Sequence, residues 1–278
     1  MASRPASHVA RAFIALAMVT VGASPASATW SVVAVDQATG TVVIASATCV
    51  SQSSFALFPA KGLMDVQAIV VPGKGVAAAQ AAADRTRANQ DRIFAEIDKG
   101  TDPRQIIELL KTDPQVDNRQ FGIVDLQGRA AGFTGAKTAA STLDRHGQVS
   151  GSGIVYSIQG NILATDAVVI AAETALKSTA GTITDRVMAA MEAGDAKGGD
   201  QRCSCNTPPR PKVCETKTAQ VAYILRAEAA DPRGPGVNGG TYAMYVSVTN
   251  DDITPAESAN PVKTLRLRYD AWKKAHPR

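Results

Sequence analysis

The order of strand-like and helix-like segments is the feature that most constrains the fold of this 278-residue chain. Short runs rich in β-branched residues come in pairs joined by turn sequences such as Pro72-Gly73-Lys74, a pattern typical of antiparallel hairpins. Segments with the apolar period of a helix follow them in blocks. The order strands, helices, strands, helices, strands, helix predicts an α+β domain with two packed antiparallel sheets between layers of helices; a single antiparallel α+β sheet is the alternative.

Turns and caps place the individual elements. Asp102-Pro103 and Asn260-Pro261 are typical of helix N-termini, whereas the polar segment around His146 is predicted to be a loop. The predicted strands cover residues 30–35, 41–47, 66–71, 75–79, 121–126, 130–134, 154–158, 218–226 and 242–248, and the predicted helices cover residues 85–99, 102–110, 165–176, 183–193 and 260–272.

The N-terminus has the three parts of a secretory signal. Arg4 and Arg11 precede an apolar stretch at residues 12–23, and small residues follow it up to Ala28. The apolar stretch is shorter than the roughly 20 residues that a membrane-spanning helix needs. We therefore expect signal peptidase, as a maturation partner, to remove residues 1–28.

Cleavage would leave residues 29–278, which we predict to be a single domain. It would remove two basic residues and no acidic one, so the formal net charge would fall from +4 to +2. A nearly neutral surface argues against nucleic acid as a partner. No second apolar run approaches spanning length, so we expect a periplasmic or secreted protein with no stable membrane span. The oligomeric state is open, with a homodimer as one option.

Histidine is scarce. His8 would leave with the signal peptide and His276 lies beside the C-terminus, so His146 is the one histidine left for an interior site. The mature chain therefore has too few histidines for a histidine-rich zinc site, and a Ser-His-Asp triad would depend on His146. We predict neither a metal nor an organic cofactor.

Four cysteines fit an exported protein. Cys203, Cys205 and Cys214 form a polar, proline-rich loop, residues 203–214, and Cys49 ends a predicted strand. In an oxidising compartment this even number predicts two disulfides. Three connectivities are open, of which Cys203–Cys205 is the least favoured because so short a loop strains the bridge. The alternative is a zinc or copper site formed by the three clustered cysteines.

Cleavage after Ala28 would make Thr29 the first residue of the mature chain. One residue would then carry a hydroxyl nucleophile and an α-amine, whose ordinary pKa of about 7.7–8.0 suits a general base. No histidine is needed for such a pair. Threonine is also common in strands, so its position after the cleavage site has a purely structural explanation as well.

Three segments resemble a known family: residues 29–36 (Thr-Trp-Ser-Val-Val-Ala-Val-Asp), residues 156–163 (Tyr-Ser-Ile-Gln-Gly-Asn-Ile-Leu) and residues 198–202 (Gly-Gly-Asp-Gln-Arg). In combination they are similar to the domain-of-unknown-function family 1028 (DUF1028), a group of N-terminal nucleophile (Ntn) hydrolase-like proteins. The resemblance covers about residues 29–275. The export signal and the inserted cysteine loop depart from the family pattern.

The resemblance implies an αββα sandwich of two antiparallel sheets between helical layers, and amide-bond hydrolysis by an N-terminal threonine, Thr29. Gln159 and Asn161 flank a glycine at a strand end, where their amides could stabilise an oxyanion; turn capping by Asn161 is the alternative. Asp200 and Arg202 could position the α-amine or bind a substrate carboxylate; an exposed salt bridge is the alternative.

Thr48 and Gln80 end two other predicted strands and are candidates for lining the pocket, although strand pairing would equally explain them. The function predicted from these observations is an exported hydrolase that acts on a small-molecule or peptide-like amide substrate. The alternative is a non-catalytic secreted or envelope binding protein on the same fold.

Overall fold

The computed structural model describes residues 29–56, 58, 61–139, 141–203 and 217–277. The predicted signal peptide, Cys205 and Cys214 lie outside these residues. In chain order the elements are β1 (Thr29–Asp36), β2 (Thr41–Thr48), α1 (Leu63–Gln67), β3 (Ala68–Val71), β4 (Gly75–Ala81), α2 (Ala88–Lys99), α3 (Pro103–Leu110), β5 (Arg119–Asp125), β6 (Ala130–Thr134), β7 (Leu143–Gln148), β8 (Ile154–Asn161), α4 (Ala167–Ser178), α5 (Ile183–Asp195), β9 (Val221–Ala227), β10 (Met244–Thr249) and α6 (Pro261–Ala275).

The strands form two antiparallel sheets. The larger sheet has six strands in the order β10-β9-β2-β1-β8-β7, and the smaller has four in the order β3-β4-β5-β6. The two-sheet prediction is confirmed, and the single-sheet alternative is wrong. Strand β1 lies near the middle of the larger sheet, between its hairpin partner β2 and the distant strand β8.

Three apolar clusters show how the layers pack. The first joins one face of the larger sheet to α4, α5 and α6; the second lies between the two sheets; the third joins the smaller sheet to α2 and α3. Side chains of a strand alternate between its faces. Accordingly Trp30 and Val32 of β1 belong to the first cluster, whereas Val33 and Val35 belong to the second.

Two of the predicted helix N-termini are confirmed by their caps. The Asp102 carboxylate accepts a hydrogen bond from the Arg104 N–H at 2.8 Å, and Pro103 begins α3. The Asn260 side chain caps α6 through the Val262 N–H at 3.0 Å. Side-chain oxygens at these positions satisfy N–H groups that the helix itself leaves without partners.

Several element bounds and local features differ from the sequence prediction, including the following three. Strand β7 replaces the predicted loop around His146; it is a polar edge strand, so its sequence lacks an apolar alternation. Helix α1 takes the first two residues of the predicted strand at residues 66–71. Helix α2 begins at Ala88 rather than at residue 85, because Arg87 has a left-handed backbone with φ of 63°.

Within the described part of the chain, no helix is both long and apolar enough to cross a bilayer.

Candidate active site

Thr29 begins the central strand and is almost fully buried, with 1% of its surface exposed. It lies opposite Thr48 on β2 and opposite Asn161 on β8. Its hydroxyl donates to the Thr48 Oγ1 at 3.4 Å, and its carbonyl oxygen accepts a hydrogen bond from the Gln80 Nε2 at 3.2 Å. Three of the predicted site residues therefore surround Thr29 directly.

Gln80, at the end of β4, links the two sheets through hydrogen bonds. Its Oε1 accepts from the Ser31 hydroxyl at 2.7 Å and from the Gln67 Nε2 at 2.6 Å, and its Nε2 also donates to the Gln120 Oε1 at 2.8 Å. All four side chains are buried. Because their partners are other amides and hydroxyls, the position of each group depends on the others.

Gln120 carries the network on to β8. Its Oε1 accepts from the Asn161 Nδ2 at 3.2 Å, and its Nε2 donates to the Gly160 carbonyl at 3.0 Å. Asn161 is fully buried, and its Oδ1 has no hydrogen-bond partner within the described residues. A buried acceptor without a donor costs about 1–3 kcal/mol, so this oxygen marks a place where a further donor would be favourable.

Gln159 lies deeper between the sheets than Asn161. It is opposite Ser31 in the β1–β8 pairing, and its Nε2 donates to the Ser31 hydroxyl at 2.6 Å. Its amide fills the space above Gly122, where a Cβ atom would lie 2.1 Å from the Gln159 Oε1. Gln159 therefore acts on the site through Ser31 and the amide network.

Asp200 and Arg202 form a pair beside Thr48. Asp200 is fully buried, so the pair is not the exposed salt bridge of the alternative interpretation. The Asp200 carboxylate accepts from the Cys49 N–H at 2.6 Å and from the Arg202 Nη2 at 2.7 Å. Burial raises the pKa of Asp200 above its ordinary value, although the Arg202 guanidinium and the backbone N–H groups act in the opposite direction.

Arg202 connects this pair to the threonines. Its Nη2 also donates to the Thr48 Oγ1 at 3.4 Å, the same oxygen that accepts from Thr29. The Thr48 hydroxyl is thus shared between the predicted nucleophile and the buried ion pair. One third of the Arg202 side chain is exposed, on the side that faces a cavity.

The cavity beside Thr29 has a volume of about 360 Å³. Thr29, Gln80 and Arg202 line it, whereas Thr48, Asn161, Gln159 and Asp200 are not among the residues that line it. The remaining lining residues are Cys49, Val50, Ser51, Ser54, Phe55, Phe58, Leu63, Val66, Gln67, Ala79, Ala81, Ala83, Arg85 and Gln220.

Backbone strain is concentrated near the same place. Ala81, which ends β4 in the cavity wall, has φ of 71°, and Ile162, next to Asn161, has φ of 49°. Side chains with a Cβ rarely adopt this left-handed region, and such strain clusters at functional sites.

Sequence reasoning missed several members of the network, among them Ser31, Gln67 and Gln120. The available signal was polarity at inward-facing strand positions: Ser31 lies two residues after Thr29, and Gln120 lies just before a predicted strand. Their convergence could not be inferred without knowledge of the strand order. Arg85 was predicted as the start of a helix and instead lies in the loop that forms the cavity rim.

Among the described residues, Cys49 and Cys203 form a disulfide, with their Cα atoms 5.6 Å apart. It joins the end of β2 to the turn after Arg202, so it lies at the edge of the site. Because Cys203 is engaged in this bond, a metal site formed by the three clustered cysteines would lack one thiolate. Within the described residues, no group of three or more potential metal ligands occurs.

Comparisons with known proteins agree with this fold. The family model described as Family of unknown function (DUF1028) matches residues 29–207, more than half of the chain. The crystal structure of a Silicibacter pomeroyi protein of the DUF1028 family is similar, with 20% sequence identity, a TM-score of 0.63 and coverage of 88% of this chain and 89% of that chain. No curated protein matches. The chain belongs to the DUF1028 family.

Proposed function

We propose that the mature protein is an exported hydrolase of the N-terminal nucleophile type, acting on an amide or related C–N bond. The observation that carries the proposal is the position of Thr29. The residue that signal-peptide cleavage would expose lies at the end of the central strand, in the wall of the cavity. The two antiparallel sheets with helices on their outer faces are then interpreted as the αββα sandwich of Ntn hydrolases.

The proposed reaction proceeds in two steps. The α-amine of Thr29 accepts the proton of its own hydroxyl, and the Oγ1 attacks the carbonyl carbon of the substrate. The C–N bond breaks, the proton passes to the leaving nitrogen, and an acyl ester on Thr29 remains. Water then hydrolyses the ester, releasing the acid and restoring the hydroxyl.

The surrounding residues have separate roles in this proposal. Thr48 holds the Thr29 hydroxyl, and the Asp200–Arg202 pair in turn holds Thr48. The Asn161 amide is the proposed oxyanion donor, a type of contact worth about 2.7–4 kcal/mol of transition-state stabilisation. Its Oδ1, which has no hydrogen-bond partner among the described residues, would accept a hydrogen bond from the new α-amine. Gln159 contributes by fixing Ser31.

Export has a direct chemical consequence in this proposal. Before cleavage the nitrogen of Thr29 is an amide and has no basic lone pair, so the precursor cannot catalyse the reaction. Signal peptidase would therefore act as the activating protease. Such coupling would confine hydrolysis to the periplasm or the exterior.

The first experiment is the intact mass and N-terminal sequence of the untagged protein recovered from the exported fraction of an expressing bacterium. A chain that starts at Thr29 supports the proposal, and hydrolysis is then assayed with a panel of amides. If the chain starts one residue earlier or later, its terminal residue no longer carries both the Thr29 hydroxyl and a free α-amine. That result would overturn the mechanism and favour the non-catalytic binding protein.

A further inference from the structure

The charge distribution of the cavity beside Thr29 indicates what kind of molecule it accepts. Two arginines, Arg85 and Arg202, line it, and the described lining contains no acidic side chain. The charge of Arg202 is balanced by the buried Asp200. Arg85 is exposed on the loop between β4 and α2, and within the described residues its guanidinium has no hydrogen bond or ion pair. The described part of the cavity lining therefore carries one uncompensated positive charge, that of Arg85.

Another part of the cavity wall is apolar. Phe55 follows β2 in a short 3₁₀ turn, Phe58 lies just beyond it, and Leu63 and Val66 belong to α1. Together they form the apolar part of the cavity wall. The polar groups Gln67 and Gln80 also line the cavity, and Gln80 contacts Thr29 directly. A cavity of this kind binds an apolar group and orients it through a few polar contacts.

The size of the cavity limits the kinds of ligand that it can hold. A volume of about 360 Å³ lies at the lower end of the range of about 300–1,000 Å³ found for small-molecule sites. A folded protein or a long peptide would need a much larger surface. A guanidinium binds a carboxylate through paired N–H donors.

We infer that the cavity accepts an N-acyl amino acid, with the apolar acyl chain against the Phe55–Val66 wall and the carboxylate on Arg85. This inference rests on the proposed function, since it identifies the substrate class of the same site. Hydrolysis would break the amide C–N bond, transfer the acyl group to the Thr29 Oγ1 and release a free amino acid. Water would then release the fatty acid.

Binding is measured separately from hydrolysis. The processed Thr29→Ala protein, which cannot consume its ligand, is titrated by calorimetry with N-octanoylglycine and with N-octanoylglycinamide, which lacks only the carboxylate charge. We expect the acid to bind about tenfold more tightly or better, as a charged hydrogen bond provides. Arg85→Gln should abolish this preference, and Arg85→Lys should keep part of it. Arg92→Gln, which removes the same charge from an exposed position on α2, should leave it unchanged.

Equal affinity for the acid and the amide, or a preference that survives in Arg85→Gln, would overturn the inference. The wild-type protein is then tested for release of octanoate. An Arg85-dependent preference without octanoate release would retain the inference and contradict the proposed function. Octanoate release at equal kcat/KM from the acid and the amide would retain the proposed function and contradict the inference.

Discussion

The two ends of the space between the sheets consist of the same strands and are equally buried, but their chemistry is opposite. On β1, Val33 and Val35 face an apolar cluster near the β1–β2 turn, whereas Thr29 and Ser31, on the same face, meet Gln80 of the other sheet. On the opposite face of β1, toward the helices, Trp30, Val32 and Ala34 are apolar. The change in polarity is thus confined to the face and the end that contain the cavity.

Strand β8 repeats this change in the antiparallel direction. Val155 belongs to the apolar cluster, and Ser157, Gln159 and Asn161 follow at alternate positions, all fully buried. Buried amides stabilise a fold little even when they are paired, and an unpaired one costs about 1–3 kcal/mol. The polar end is therefore not what stability alone would select. Proteins depart from the stable pattern in this way at functional sites.

Substitutions at the two ends of β1 should have different consequences, one for catalysis and one for stability. Thr29→Ala should lower the rate of hydrolysis of any amide that the wild type cleaves roughly 10³-fold or more, because it removes the nucleophile. Its effect on the free energy of unfolding should be small. Val33→Ala, at the apolar end of the same face, should cost about 2 kcal/mol of unfolding free energy and leave kcat/KM nearly unchanged. Hydrolysis rates and urea denaturation measure the two quantities. Full activity in Thr29→Ala would show that the polar end of the space between the sheets does not supply the nucleophile.

The second effect concerns the covalent bond at the polar end. The Cys49–Cys203 disulfide spans 154 residues of sequence, so replacing both cysteines by serine should cost about 2–4 kcal/mol of unfolding free energy. KM should rise as well, because without the disulfide the segment at residue 49, whose backbone N–H holds Asp200, is less firmly positioned. As a control, a reductant should destabilise the wild type more than the double variant. An unchanged denaturation midpoint in the double variant would contradict this prediction.

A third effect tests the packing of the amide network. In Gly122→Ala the new Cβ would overlap the Gln159 amide, and such overpacking should cost about 1–3 kcal/mol. Gln159→Ala made in the same chain should recover part of that loss, because it vacates the space. A double-mutant cycle from denaturation curves gives the coupling between the two positions. Additive effects would show that Gln159 is not held against Gly122.

The last prediction concerns Asp185, which lies outside the space between the sheets. It shows, for comparison with the buried polar end, how much one well-paired charge stabilises the fold. Burial would raise the pKa of Asp185, but hydrogen bonds from Lys273, Thr182 and Tyr269 outweigh it and hold the pKa well below the ordinary value of 3.8. The resulting stability is present above pH 3.8 and is lost as the pH falls below it. Asp185→Asn should cost about 1 kcal/mol at pH 7 and less at pH 3, as denaturation at the two pH values would show. An equal loss at both pH values would contradict the assignment.

Much of the fold could be predicted because its signals are local. Hairpin turns such as Pro72-Gly73-Lys74 and caps such as Asp102 act over a few residues, and both occur where the sequence places them. Strand β7 was missed because an edge strand beside solvent needs no apolar alternation. Arg87 was missed because nothing in its sequence context requires a left-handed backbone.

The site was predicted only in part, for a different reason. Thr29, Asn161 and Asp200 stand out through the cleavage site and the family segments, and the structure brings them to one end of the larger sheet. From the sequence Asp200 could equally have been exposed; in the structure it is buried and forms a β-bridge with Leu163. The polarity of Gln120 is a weak signal, because a glutamine beside a strand is usually a surface residue.

Local sequence alone accounts for the hairpin at Pro72-Gly73-Lys74, the helix N-termini at Asp102 and Asn260 and the position of Thr29 directly after a predicted cleavage site, since each depends on neighbouring residues. By contrast, the meeting of Gln67, Gln80, Gln120 and Asn161 around Ser31 and Thr29 is a property of the tertiary structure. These side chains come from α1 and from strands of two sheets, and a shift of one residue in any pairing would turn a side chain to the opposite face. That register depends on how apolar faces distant in sequence pack together, which local patterns do not specify.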